Sequence, residues 1–299
     1  MKEASVPKIL PQDTLWRVVS ADKCFRGLVA VTTQTVGKIC AKQQTDLTAT
    51  VALGRLLTGG ALMAGLLKGH QRLSLAIEGN GPIGRMAVEA DAQGRLRGTI
   101  RNPLPALPPR ADKFDVAGAI GRAGFLTVTK DLGLKKPYQS MVQLQTSEVG
   151  EDLAWYLSSS EQVPSSLGLG VEFNSTGDIA AAGGFLIQTL PPELPEKIDT
   201  LVDRIEELPP VTSMLRDKIH PTEILARIFG DQRFATCENI PLSFFCPCSR
   251  EQIEQMLFGL GSEELLSLAE QQPTTCVRCE YCGAEYLFSA TDLDRMAAG

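Results

Sequence analysis

Histidine is nearly absent. Two occur in 299 residues, His70 and His220, far apart, and neither forms a catalytic pair with a sequence-local acid or nucleophile. Positive charge is in deficit: 29 Lys and Arg against 35 Asp and Glu leave a net charge of −6, which argues against nonspecific nucleic-acid binding through the global field. The most apolar stretch, residues 56–67, is too short to span a bilayer and is bounded by Arg55 and Lys68. Residues 1–17 lack a basic start followed by an apolar core, so no signal peptide is expected. Gly59 and Gly60, with Gly65 and Lys68, have the glycine content of a phosphate loop, but no Gly-Lys-Ser/Thr follows and helix packing is the better account. These absences lead to the expectation of a cytoplasmic protein with no membrane, nucleic-acid or nucleotide partner. Its compartment is then reducing, where cysteines persist as thiols or metal ligands.

What the chain has is cysteine in one place. Six of its eight cysteines fall within residues 237–282, far denser than core usage explains. Cys246 and Cys248 form a Cys-x-Cys, and Cys279 and Cys282 a Cys-x-x-Cys. Two close pairs joined by an intervening loop are how a closed tetrahedral Zn²⁺ site is built, so one zinc per chain is expected on these four thiolates. The first pair is tighter and the spacer longer than in an ordinary zinc ribbon. Cys276 offers an alternative pair with Cys279. Gly283 favours Cys282 as the ligand, because a glycine there can take the positive φ that turns backbone N–H groups toward a thiolate.

The surroundings predict a small domain that depends on its metal. Ser249 and Gln252 read as a capping box opening a helix with Ile253, Met256, Leu257 and Leu260 on one face. A second short helix carries Leu265, Leu266 and Leu268 and stops before Pro273. Residues 286–288 read as a strand, and a last helix begins near Thr291. About 60 residues with so few large apolar side chains are marginal without metal.

The rest of the chain reads as α+β: a large twisted sheet domain with packed helices. Residues 28–33 look like a strand and residues 49–68 like a helix apolar nearly all round, hence buried. Leu73, Leu75 and Ile77, then Met86, Val88 and Ala90, then Leu96 and Ile100 alternate as a meander turned at Gly79-Asn80-Gly81-Pro82 and Gln93-Gly94. Residues 125–129 and 141–145 suggest a hairpin, 151–160 a helix, and 171–173 with 185–189 a last strand pair, all in one sheet. Pro191, Pro192 and Pro195 open a helical linker whose stripe of Ile198, Leu201, Val202, Ile205 and Leu208 must dock on something, the sheet being the obvious surface. The expected domains are 1–190 (sheet core), 191–240 (amphipathic helical linker) and 241–299 (zinc-binding redox switch). Cys24 and Cys40 read as structural.

Several segments carry a resemblance: Ile77-Glu78-Gly79-Asn80-Gly81-Pro82, Ser160-Glu161-Gln162-Val163-Pro164, Ala181-Ala182-Gly183-Gly184-Phe185, Phe245-Cys246-Pro247-Cys248-Ser249-Arg250-Glu251 and Cys279-Glu280-Tyr281-Cys282-Gly283. The chain resembles the 33 kDa heat-shock protein (33 kDa chaperonin) family over nearly its whole length. The resemblance implies a redox-regulated, ATP-independent holdase chaperone, not an enzyme, that prevents unfolding proteins from aggregating. It implies a zinc-bound inactive reduced state and a zinc-free oxidised state with disulfides Cys246–Cys248 and Cys279–Cys282, an unfolded zinc domain and linker, and homodimers. Cys237 and Cys276 lie outside the family's four-cysteine pattern. Two other classes compete with this reading. A thiol-disulfide oxidoreductase needs its Cys-x-x-Cys at a helix start, whereas Cys282 precedes Gly283 and a strand. A zinc-ribbon nucleic-acid module needs basic residues, and residues 246–299 hold only Arg250, Arg278 and Arg295 among many acidic ones.

Overall fold

The computed structural model describes residues 12–108, 113–191 and 194–298, and its contacts divide the chain into two compact units that meet between Phe244 and Phe245. In the larger unit, strands β1 (Thr14–Ser20), β2 (Phe25–Val31), β8 (Ser165–Phe173), β9 (Ile179–Thr189) and β10 (Phe234–Pro241) form an antiparallel sheet in the order β10-β1-β2-β9-β8. Strands β3 (Arg72–Gly79), β4 (Arg85–Asp91), β5 (Arg95–Ile100), β6 (Gly124–Asp131), β7 (Tyr138–Gln143) and β11 (Ser243–Phe244) form a second, in the order β11-β5-β4-β3-β6-β7. The class is mixed α and β as expected, but the strands divide between two sheets where the sequence suggests one.

The reason lies in helix α2 (Leu47–Ala64), which packs against β2, β8 and β9 on one side and β3, β4 and β5 on the other. A helix apolar all round needs two surfaces. It is long and apolar enough to cross a membrane, yet 89% of it is buried in the protein. Its glycines set how closely the sheets approach: a Cβ at Gly54 would lie 2.7 Å from Val171 of one sheet, and one at Gly60 2.9 Å from Val88 of the other. Gly59 and Gly60 are therefore packing residues. Asp46 caps the helix by accepting the Ala49 N–H at 2.8 Å.

Helix α1 (Thr33–Gln43) is not legible in the sequence because its start signal is remote and its stop is a left-handed Gln44 rather than a glycine. The Gln34 and Thr35 N–H groups are accepted by the carboxylate of Asp13, ahead of β1. Burial raises the Asp13 pKa, partly offset by these bonds. Helices α3 (Val116–Ile120) and α4 (Val149–Ser159) complete the central core with buried Ala119, Leu153, Tyr156 and Leu157.

Helices α5 (Pro195–Glu206), α6 (Val211–Arg216) and α7 (Pro221–Phe229) dock on the opposite face of the five-stranded sheet, against Val18, Phe25, Val29 and Ile187. They hold on unequally. Ile224, Leu225, Ile228 and Phe229 of α7 are fully buried, each contributing about 1.5–3 kcal/mol before entropic costs. A Cβ on Gly27 of β2 would come within 2.8 Å of Leu225, so the glycine lets α7 lie close. Helix α5 buries only Leu201 of its stripe, with Ile198 and Ile205 partly covered. Val202 departs from the sequence reading, being 38% exposed, because the stripe is narrower than the apolar pattern. Residues 234–241, expected to close a helical linker, are instead β10, paired with β1 from Thr14↔Pro241 to Ser20↔Phe234. Their sequence, Phe-Ala-Thr-Cys-Glu-Asn-Ile-Pro, has no regular strand alternation, so the tertiary partner makes them a strand.

The smaller unit holds α8 (Arg250–Phe258), α9 (Ser262–Gln271), the hairpin β12 (Thr274–Arg278) with β13 (Glu285–Ser289), and α10 (Ala290–Ala298). Its fully enclosed core is Ile253, Leu257, Leu265, Phe288, Leu293 and Met296. Met256, Leu260 and Leu266, assigned to apolar faces in the sequence reading, are exposed: a unit this small has too little interior to cover a wide stripe.

Candidate metal centre

The first cysteine pair lies in the irregular segment between β11 and α8, the second in the turn that joins β12 to β13. Ser249 opens α8 by accepting the Gln252 N–H at 3.3 Å, as the capping box predicts, so the positive end of the helix dipole stands directly after Cys248. In the second knuckle the Gly283 N–H bonds to the Cys279 carbonyl and the Cys279 N–H to the Ala284 carbonyl, both at 2.9 Å. Gly283 takes φ 73°, the left-handed conformation that glycine adopts at least cost. The next N–H, that of Ala284, then points at Cys282 Sγ, 3.5 Å away.

Together the two knuckles bring Cys246, Cys248, Cys279 and Cys282 into one half-buried cluster whose sulfurs all lie within 4.8 Å of one another. Two sulfur–sulfur contacts run across the pairs: Cys246 to Cys279 at 3.7 Å and Cys248 to Cys282 at 3.3 Å. A tetrahedral ion with metal–sulfur bonds of about 2.3 Å sets its sulfurs about 3.8 Å apart, so the donor set fits a metal ion in number, chemistry and spacing. As thiols, Cys248 and Cys282 resist ionisation. Burial, offset in part by the Ala284 N–H and reinforced by the neighbouring sulfurs, pushes Cys282 up to about 12, and burial likewise raises Cys248 against the opposing Tyr286 hydroxyl. A dication reverses that balance by binding only the thiolates.

A family model described as Hsp33 protein matches residues 13–289. The chain belongs to the Hsp33 family. The 33 kDa chaperonin of Geobacter sulfurreducens is 50% identical over 95% of this chain and 94% of that protein. That of Syntrophotalea carbinolica is also 50% identical, over 96% and 100%. The crystal structure of the 33 kDa chaperonin (heat shock protein 33 homolog) from Thermotoga maritima superposes with a TM-score of 0.88 at 34% identity, covering 96% of this chain and 98% of that one. Hsp33 is thus a chaperone family, and the cysteine cluster of this member fits a zinc-binding domain with a redox role.

Around the Hsp33 cluster, two contributors had no sequence signal. Tyr286 of β13 donates its hydroxyl to Cys248 Sγ at 3.3 Å, and that bond, with burial, pushes the phenol up to about 12. A tyrosine four residues after a cysteine is too common a pattern to mark it. Arg250 lies 4.4 Å over the Phe288 ring, donates to the Leu287 carbonyl at 2.8 Å and pairs with Glu254 and Asp292. It thereby ties α8, which follows the first knuckle, to β13, which follows the second. Cys276 lies on β12 opposite Leu287, exposed and outside the cluster. The Cys237 side chain lies outside the described residues. The Cys-x-x-Cys begins no helix, which leaves an oxidoreductase reading without its usual structural context.

Proposed function

We propose that this Hsp33 family member is a redox-regulated, ATP-independent holdase that captures unfolding proteins in the cytoplasm. Its reduced form is the inactive one, with Zn²⁺ on Cys246, Cys248, Cys279 and Cys282. The observation that carries the reading is a four-thiol cluster stitching together a unit with six enclosed apolar side chains. Bound there, Zn²⁺ ties the two knuckles together and holds the sulfurs as thiolates. The same thiolates are what a peroxide-class oxidant attacks. Oxidation of each thiolate pair removes two electrons and forms Cys246–Cys248 and Cys279–Cys282, while each peroxide takes up those electrons and two protons from solvent to become two waters and the cluster, its thiolate ligands consumed, releases Zn²⁺. Disulfides within the pairs no longer join one knuckle to the other, and a core this small does not stay folded alone.

Release of the linker helices then uncovers two complementary apolar surfaces: the α5–α7 stripe and the sheet face of Val18, Phe25, Val29 and Ile187. Both are suited to apolar segments of unfolding clients and to a second copy of the chain, so the oxidised form is a homodimer. The proposed functional divisions are the core, 1–190, the linker, 191–240, and the switch, 241–299. The test is zinc content together with light-scattering protection of a heat-unfolding protein, before and after peroxide. One zinc per chain and no protection when reduced, and neither zinc nor aggregation after oxidation, is the expected result. Full protection by the reduced, zinc-loaded protein would overturn the proposal.

A further inference from the structure

Asp22, Cys24 and Lys197 form a polar cluster within the larger unit. Cys24 ends the turn between β1 and β2 and is 6% exposed. Lys197, in the first turn of α5, places its ammonium 2.6 Å from Asp22 Oδ2 and 3.9 Å from Cys24 Sγ. The Asp22 carboxylate is itself fixed: its Oδ1 accepts the Ser20 hydroxyl at 2.6 Å and the Cys24 N–H at 3.1 Å. An amine of a docked helix is thus held against a thiol of the sheet by a carboxylate that belongs to the sheet. Burial and the Asp22 carboxylate raise the Cys24 pKa against the opposing Lys197 ammonium; the other thiol described in this unit, Cys40, faces the hydroxyls of Thr45 and Thr50 and is pushed by burial up to about 12.

We propose that Cys24 and Lys197 are a modification site at which a peroxide-class oxidant joins α5 to the core sheet through a sulfenamide bond. Cys24 Sγ attacks a peroxide oxygen, giving the sulfenic acid and one water. The Lys197 amine, having released its proton to solvent, attacks that sulfur; the S–N bond forms, the S–O bond breaks and the hydroxyl leaves as a second water. One S–H and one N–H are lost in total, and the two electrons reside in the reduced peroxide. The Asp22 ion pair positions the nitrogen but favours the ammonium, so the bond follows sustained rather than brief oxidation. Its consequence for regulation, which rests on the switch proposed above, is that wherever α5 is docked when Cys24 is oxidised, this least anchored linker helix becomes fastened at its first turn, limiting how far prolonged oxidation opens the molecule.

Peptide mass spectrometry of the full chain after peroxide treatment and thiol blocking tests this. The expected product is a joined pair of peptides linking Cys24 to Lys197, two hydrogens lighter than their sum and cleaved by dithiothreitol. It should be missing in Cys24→Ser and in Lys197→Arg, which keeps a cation beside Asp22. A joined pair that retains an oxygen, or Cys24 recovered as thiol or sulfinic acid with Lys197 unmodified, overturns the proposal. The readout on the wild-type chain is a mass, so it stands or falls independently of zinc content and aggregation suppression.

Discussion

Leu201→Asp should release α5 and switch on client capture in the reduced, zinc-loaded protein, whereas Val202→Asp next to it should do neither. Leu201 is 6% exposed and Val202 38%. Removing the Leu201 side chain from its contact forfeits about 1.5–3 kcal/mol, and a carboxylate left in its place adds a desolvation penalty. The helix escapes that penalty by undocking, so the total cost is capped by the docking free energy of α5. The apolar loss alone lowers the docked-to-undocked ratio by roughly 10- to 150-fold. At Val202 the carboxylate reaches water, and a change within about 0.5 kcal/mol is expected. The buried side chains of α7, Ile224, Leu225, Ile228 and Phe229 among them, are untouched by either substitution, so its amides should stay protected. Hydrogen exchange across residues 195–229 reads the release, and light scattering of a heat-unfolding protein reads the function, both after zinc content has been verified. If Leu201→Asp gave fast exchange in α5, normal zinc and no suppression of aggregation, release of α5 would be insufficient and the reasoning wrong.

Chelation of the reduced protein should unfold residues 245–299 while the larger unit keeps one cooperative transition, since six enclosed side chains at about 1.5–3 kcal/mol each do not offset the ordering entropy of the unit without the roughly 10–16 kcal/mol that a structural zinc supplies; exchange protection persisting in α8 after chelation would contradict this. Serine at Cys246, Cys248, Cys279 or Cys282 should each lower zinc stoichiometry, and Cys276→Ser should leave it at one per chain; the reverse pattern for Cys276 and Cys282 would reassign the ligand. Arg250→Ala removes the ring contact with Phe288 and the bond to the Leu287 carbonyl, and should cost about 1–2 kcal/mol, seen as unfolding of the small unit at lower chelator concentration. The Ser289 N–H, with the Ser289 hydroxyl and with Arg250 and Arg295, holds the Asp292 carboxyl below its ordinary pKa. Its capping of α10 therefore contributes stability that is present above about pH 4 and lost as the pH falls further, and Asp292→Asn should flatten that acid limb in thermal melts.

How much of this was legible in the chain depended on whether the signal was local. Knuckle spacing, Gly283 and the Ser249 cap each act within a few residues, and the sequence reading placed the second knuckle and the start of α8 by them, though not strand β12. The all-apolar residues of α2 announced a buried helix, and the meander and the β6–β7 hairpin announced themselves by alternation. What the sequence left undecided needed partners from afar. Asp13 caps α1 from outside the helix, β10 is a strand only because β1 lies beside it, and the number of sheets follows from α2 needing two surfaces. Which residue of the α5 stripe faces the sheet was likewise decided by packing, because an apolar pattern gives a helix face only to within a residue. Within the centre, composition and spacing nominated four sulfurs, but their crosswise contacts, the Tyr286 hydroxyl and the Arg250 tie exist only because the fold sets two loops thirty residues apart against each other.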